Sequence, residues 1–304
     1  MLTDEMTAEK SYLKLKTETD KTIDKTEYER IFMDHPDTFY GQTALLDLAK
    51  IELLQRNYNQ ALIYFKKIFH PDITTKEYWM AKCYLSKGDY DSAIISAQNY
   101  IYSSFDKEKI ESSYFIIAEA YINKSLFGRA LNTLKFLKNS ENIQNNIPLL
   151  HYKMGYCNEK MGEYEQAITY YKKLKLDFPY HEYSYLAEDR IYDLKKENKI
   201  TIDLKDILIN ETDEIADDPL VHSPEKGIKY LQVGAFSKRI NAENLAQEIQ
   251  NKITGNYIIF EKFADSKSLF VVAFGPYENE QQIKEVKQSL TANGYNSFEI
   301  ERHR

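Results

Sequence analysis

The sequence predicts an α + α/β two-domain protein: an all-α solenoid of helical hairpins over residues 1–197, an acidic flexible linker over 198–227, and a βαββαβ split-βαβ sandwich over 228–304. Three observations carry this. An alanine recurs at Ala61, Ala93, Ala130 and Ala167, with an aromatic residue three positions before each. A short apolar run broken by a glycine, followed by a helix-like stretch, occurs twice in the last quarter of the chain. Five of the ten glycines lie between Gly227 and Gly294, which marks a change from long helices to an architecture that contains strands.

In the first domain, Glu18 to Met33 reads as the second helix of an opening half-unit. Four gapless segments follow, Ala49 to Ala61, Ala81 to Ala93, Ala118 to Ala130 and Gly155 to Ala167, each running from a small residue to an alanine. The small residues belong where two helix backbones nearly touch. The aromatic residues Tyr58, Tyr90, Phe127 and Tyr164 start the second helices and plug the gaps between units. Ser184 to Lys196 reads as a terminal capping helix. The alanine spacings of 32, 37 and 37 resemble the tetratricopeptide repeat (TPR), two antiparallel helices per unit in a stacked array. Asp34-His35-Pro36 and Asp177-Phe178-Pro179, each followed by a helix restart, resemble the repeats of bacterial envelope proteins such as outer-membrane assembly lipoproteins. The resemblance implies a protein partner on the repeat surface, with Tyr152, Tyr156 and Tyr185 as lining candidates.

Seven acidic residues and two prolines crowd the stretch between Asp203 and Pro224, which reads as a linker with one short helix over 204–209. The sandwich then unfolds in order: a strand over Tyr230 to Phe236, a helix over Asn241 to Lys252, a strand over Phe270 to Tyr277, a helix over Glu278 to Asn293 and a final strand after Gly294-Tyr295. Side chains alternate along a strand. Leu231 and Val233 suit a core with Leu245 and Ile249, which leaves Tyr230 and Gln232 outward. By the same alternation Val272 and Phe274 point inward, Val271 and Ala273 outward; Phe298 and Ile300 inward, Glu299 outward. Helices cover one sheet face, so the other is a binding platform.

Gln232-Val233-Gly234-Ala235-Phe236, the alanine-rich stretch Asn241 to Ala246, Phe274-Gly275-Pro276-Tyr277 and Gly294-Tyr295 resemble the SPOR (sporulation-related repeat) domain. That resemblance implies recognition of peptidoglycan glycan strands stripped of their stem peptides, near the first and third strands. Gln232 matches the family's glycan-contacting glutamine; an amide both donates and accepts, which suits sugar hydroxyls and N-acetyl groups. Tyr230, Ala235, Phe236, Leu269, Phe270, Val271, Ala273 and Glu299 complete the expected glycan-binding set. Ala235 departs from the serine of strong binders, and the loop before Leu269 lacks the tryptophan of some members. An RNA-recognition motif shares the strand order but needs outward aromatics on the third strand and a basic surround, where this chain has Val271 and Ala273.

Net charge is −7, close to +1 from Ile228 onward and −8 before it, so no nucleic-acid partner is expected. The six histidines show no metal-ligand spacing, and His35 and His70 read as helix-end caps. Cys83 and Cys157 occupy equivalent positions two units apart, too far for a disulfide. No phosphate-binding glycine loop, nucleophile elbow or convergent acid pair is present; no catalysis, metal or cofactor is expected. No apolar run reaches the length of about 20 residues that spans a membrane. The first residues carry no secretory signal, so an export leader or anchor is expected outside this sequence. The function implied is a non-enzymatic, periplasmic or cell-envelope adaptor for cell-wall or division processes. The alternative is an envelope scaffold whose terminal domain binds protein rather than glycan.

Overall fold

The computed structural model describes residues 2–17, 25–143, 145–178, 181–201, 228–264, 267–277 and 279–302. The helix expected over 204–209 lies outside them. The chain divides into two compact units, Met1–Asn146 and Ile147–Arg304.

The first unit contains α1 (Leu2–Thr17), α2 (Lys25–Asp34), α3 (Phe39–Leu54), α4 (Tyr58–Lys67), α5 (Lys76–Lys87), α6 (Tyr90–Ser103), α7 (Lys107–Asn123) and α8 (Phe127–Asn139). Tyr58, Tyr90 and Phe127 each open the second helix of a hairpin, as the repeat predicts. Ala49, Ala81 and Ala118 on the first helices, and Ala61, Ala93 and Ala130 on the second, have no accessible surface. Around them Leu62 and Phe65 bury apolar side chains, each contributing about 1.5–3 kcal/mol. Thr38, Asp89 and Asp106 cap α3, α6 and α7 through side-chain oxygens that accept backbone N–H groups, which satisfies donors the helices themselves leave open.

The opening differs from the sequence reading. α1 precedes the half-unit, and α2 covers 25–34 of the expected 18–33 helix, whose first residues, 18–24, lie outside the described ones. α1 offers only a short apolar stripe, Ala8, Tyr12 and Leu15, and polar contacts add to its hold. Tyr12 donates to Asp47 at 2.7 Å, and Glu5 accepts from the backbone of Phe39 at 3.1 Å, at the start of α3. His35 bonds Asp4 of α1 at 2.5 Å through Nδ1. Cys83 is buried, and burial pushes its thiol pKa up to about 11.

The second unit contains α9 (Ile147–Lys160), α10 (Tyr164–Asp177) and α11 (Glu182–Lys196), followed by β1 (Ile228–Phe236), α12 (Arg239–Gln250), β2 (Tyr257–Ala264), β3 (Lys267–Tyr277), α13 (Glu280–Ala292) and β4 (Phe298–Arg302). Gly155 on α9 shows why the repeat keeps a small residue there. A Cβ would lie 2.4 Å from the ring of Tyr171, which is fully buried and donates to Glu159 at 3.0 Å.

The four strands form one antiparallel sheet in the order β2-β3-β1-β4. Leu231, Val233, Val272 and Phe274 share a core with Leu245, Ile249, Ile283 and Leu290 of α12 and α13, as the alternation predicts. Two register features depart from it. Gln232 pairs with Ala273 and Gly234 with Val272, so Val233 and Gly234 form a bulge and alternation resets. Ala235 therefore shares a face with Val271, while Phe236 turns inward and is fully buried in the core. On β4, Phe298 pairs with Gln232, Ile300 with Tyr230 and Glu299 with Leu231. Directly opposed residues share a face, so Phe298 and Ile300 belong to the open face and Glu299 to the helix side, the reverse of the sequence reading.

Candidate functional site

The open face of the sheet is built from alternate residues of all four strands. β1 contributes Tyr230, Gln232 and Ala235; β3 contributes Leu269, Val271, Ala273 and Gly275. Ile258 and Phe260 of β2 pair with Ala273 and Val271, which places them there too. With Phe298 and Ile300 these four make the face more apolar and aromatic than the sequence reading had it. The β2 pair was hidden because Tyr257 to Phe260 is apolar at both parities, so period gives no phase.

Accessibility is uneven across it. Leu269, Val271, Ala273 and Ala235 are buried, whereas Gln232, Phe298, Ile300, Ile258 and Phe260 keep part of their surface in water. Phe236 and Phe270, expected as contact residues, pack in or against the helix-side core. Glu299 is exposed on the edge strand, at the helix-side parity. Among the described residues Gln232 is thus the one accessible polar side chain on the open face in the middle of the β1–β4 seam, and its amide forms no hydrogen bond there. Tyr230 lies flat across Gly275: a Cβ there would sit 2.8 Å from the ring. Gly275 has φ 139°, a backbone state that side chains resist, so only glycine serves both needs.

At the far end of β1 the sheet module meets α11. Asp189 is fully buried and accepts from the Ser237 backbone at 2.9 Å, from Ser237 Oγ, and from Asn241 Nδ2 at 3.0 Å. The residue at the α12 N-cap is Lys238, which makes no side-chain cap; its ammonium instead reaches Asp193 at 2.7 Å. Tyr192 meets Phe236 edge-on at 5.6 Å between centroids. Burial raises the Asp189 pKa, and the Ser237 and Asn241 hydrogen bonds pull it back only in part. An aspartate of α11 thus ties down the residue before the α12 N-cap and a side chain of its first turn, a pairing across 48 residues that no local pattern signals.

On the repeat helices of this unit, Tyr156 lies under Arg190 at 6.0 Å and Lys160 at 5.2 Å, and Tyr152 stacks between Tyr171 and Tyr183. Arg190 forks onto Glu159, and this hydrogen-bonded pair holds its charge more firmly. These tyrosines serve internal packing as well as any surface. Among the described residues no group of three or more His, Cys, Asp or Glu could hold a metal ion.

Comparison with known proteins agrees with this architecture. Residues 226–301 match the SPOR domain model and residues 150–179 that of a tetratricopeptide repeat, so the chain carries both modules. It is 30% identical over 92 residues to an uncharacterized protein, ycf37, of Cyanophora paradoxa; the match covers 30% of this chain and 54% of that one. The chain thus spans about half the length of the curated relative it matches. A SPOR domain of RlpA from Pseudomonas aeruginosa is 24% identical, with 24% of this chain and 99% of that chain covered and a TM-score of 0.23. A kinesin light chain of Podosopora anserina with nearly identical TPR-like repeats is 10% identical, with 57% and 92% covered and a TM-score of 0.43. Both modules are binding modules: SPOR points to peptidoglycan and the cell envelope, the repeat to a protein partner. Among the described residues no helix is long and apolar enough to cross a membrane.

Proposed function

We propose that this protein is a non-enzymatic adaptor of the cell envelope, in which the sheet module binds peptidoglycan glycan strands and the repeats hold a protein partner in cell-wall or division processes. The observation that carries it is the coincidence of the SPOR match with a sheet whose open face centres on an accessible amide, Gln232, flanked by Phe298. A sugar ring offers apolar C–H faces and polar edges. Phe298 and Ile300 suit the first and the Gln232 amide the second. Tyr230 and Ala235 support the platform, while Leu269, Val271 and Ala273 shape its floor. The working division is a repeat domain over 1–197, a linker over 198–227 and a glycan-binding domain over 228–304. The Asp189 contacts favour delivery of the glycan at a fixed angle to α11 rather than on a loose tether. The test is sedimentation of the full chain with purified sacculi, with and without enrichment in denuded glycan. The chain should pellet in proportion to denuded glycan and Gln232→Ala should release it; a chain that stays in the supernatant refutes the reading.

A further inference from the structure

The second helices of the repeat hairpins in the first unit each turn one face to water. Counted from Ala61, Ala93 and Ala130, the positions two, five, six and nine residues on follow one another by one helical turn or less, so those inside the helices share a face. Every such position on α4, α6 and α8 is exposed. The large apolar residues there are Ile63, Ile95, Tyr102 and Phe136. The charged ones are Lys66, Lys67 and Lys135; the rest are Asn or Gln, and none is acidic. That is notable in a chain with 47 acidic against 40 basic residues. The turns after α4 and α6 add Phe69 and Phe105, and Phe105 is 98% and Tyr102 87% exposed. The turn after α4 also carries an exposed carboxylate, Asp72, 3.8 Å from the His70 ring nitrogen. Asp106, beside Phe105, is paired with Lys109. The same offsets on α10 of the second unit read Thr169, Lys172, Lys173 and Leu176, again without a carboxylate.

We propose that this acid-free face of α4, α6 and α8, with its protruding aromatic residues, docks on an anionic lipid surface. Two physical terms point to lipid. Lysine ammonium groups are attracted to a negatively charged leaflet, while their stems lie along apolar neighbours. Tyr and Phe side chains standing clear of the fold suit the headgroup boundary, where one end is apolar and the other wet. A protein partner recognised through such rings encloses them in a pocket of its own; a bilayer needs only that they project, as these do. Acidic side chains are repelled by such a surface, and their absence along this face is what the attraction requires. The proposal does not rest on the glycan reading, since none of these residues lies in the sheet module.

The test is co-sedimentation of the full chain with vesicles of phosphatidylcholine alone and of equal parts phosphatidylcholine and phosphatidylglycerol, at about 0.1 M salt. The chain should pellet with the anionic vesicles and not with the neutral ones. Two double variants, Tyr102→Ser with Phe105→Ser and Lys66→Glu with Lys67→Glu, should each weaken partitioning by about tenfold or more, with unchanged circular dichroism. All four positions are exposed, so neither variant threatens the fold. The proposal is overturned if the chain stays in the supernatant with anionic vesicles, if it pellets equally with neutral ones, or if both variants bind as the parent does.

Discussion

Replacing Asp189 with alanine removes one acceptor from three donors at once: the Ser237 N–H, the Ser237 hydroxyl and the Asn241 amide. Asp189 is 1% and Asn241 2% exposed, so water cannot easily take the carboxylate's place. Hydrogen bonds to a charged group contribute about 1.5–3 kcal/mol each. Two effects reduce the sum. Asn241 keeps Asp193 within 3.5 Å, and deleting a buried carboxylate whose pKa is raised relieves its desolvation. A net loss of about 3 kcal/mol in the second unit is expected, or roughly 6–12 °C in melting temperature for a unit of this size. Urea unfolding followed by circular dichroism measures the loss. Trp79, the single tryptophan, lies in the first unit, so its fluorescence follows that unit while circular dichroism follows both. Asp189→Asn should fall between parent and alanine variant, because an amide still accepts at one oxygen. A loss under about 0.5 kcal/mol for Asp189→Ala, within the range of ordinary surface changes, refutes the stabilising role of this joint.

Gly155→Ala separates two opposed expectations: helix propensity alone predicts a gain of about 1 kcal/mol, whereas a Cβ 2.4 Å from the immobile Tyr171 ring predicts a net loss of about 1–2 kcal/mol, read as a lower melting temperature. Acid should act on the Asp47 and Asp189 contributions with opposite sign. For Asp47 burial pushes the pKa up, but hydrogen bonds from Tyr12 and Lys16 with the charge of Lys50 outweigh it, and the net shift is downward. Its contribution is present above the unfolded value of 3.8 and is lost as pH falls through the lower folded value. Asp189 is shifted upward, so between 3.8 and its raised folded value the native state holds more protons, and its term gains stability as pH falls. Denaturation of Asp47→Asn and Asp189→Asn against the parent from pH 7 to about 3 checks both signs.

The repeat array was legible because its signal is steric. Ala61, Ala93, Ala130 and Ala167 are each fully buried at a helix contact, so the chain prints the contact as a period. α1 was not legible, since its apolar stripe is only Ala8, Tyr12 and Leu15 and much of its hold is polar, through Glu5 and Tyr12. On the sheet, alternation placed Gln232 and Tyr230 on the open face, but it fixes a period and not a phase. Phe298 and Ile300 were read as core because they are apolar, whereas pairing with β1 sets them opposite Gln232 and Tyr230. Phe236 was misplaced by the bulge at Val233 and Gly234, which alternation cannot foresee. The Asp189 joint depends on a contact between modules far apart in the chain, and neither module's own pattern contains it.

Sedimentation of the full chain with sacculi, beside the same chain carrying Gln232→Ala, bears most directly on what the protein does. Pelleting that grows with denuded glycan, and falls at least about tenfold on losing the amide and its contacts, is the predicted result. Equal pelleting of parent and variant, or none by either, contradicts it.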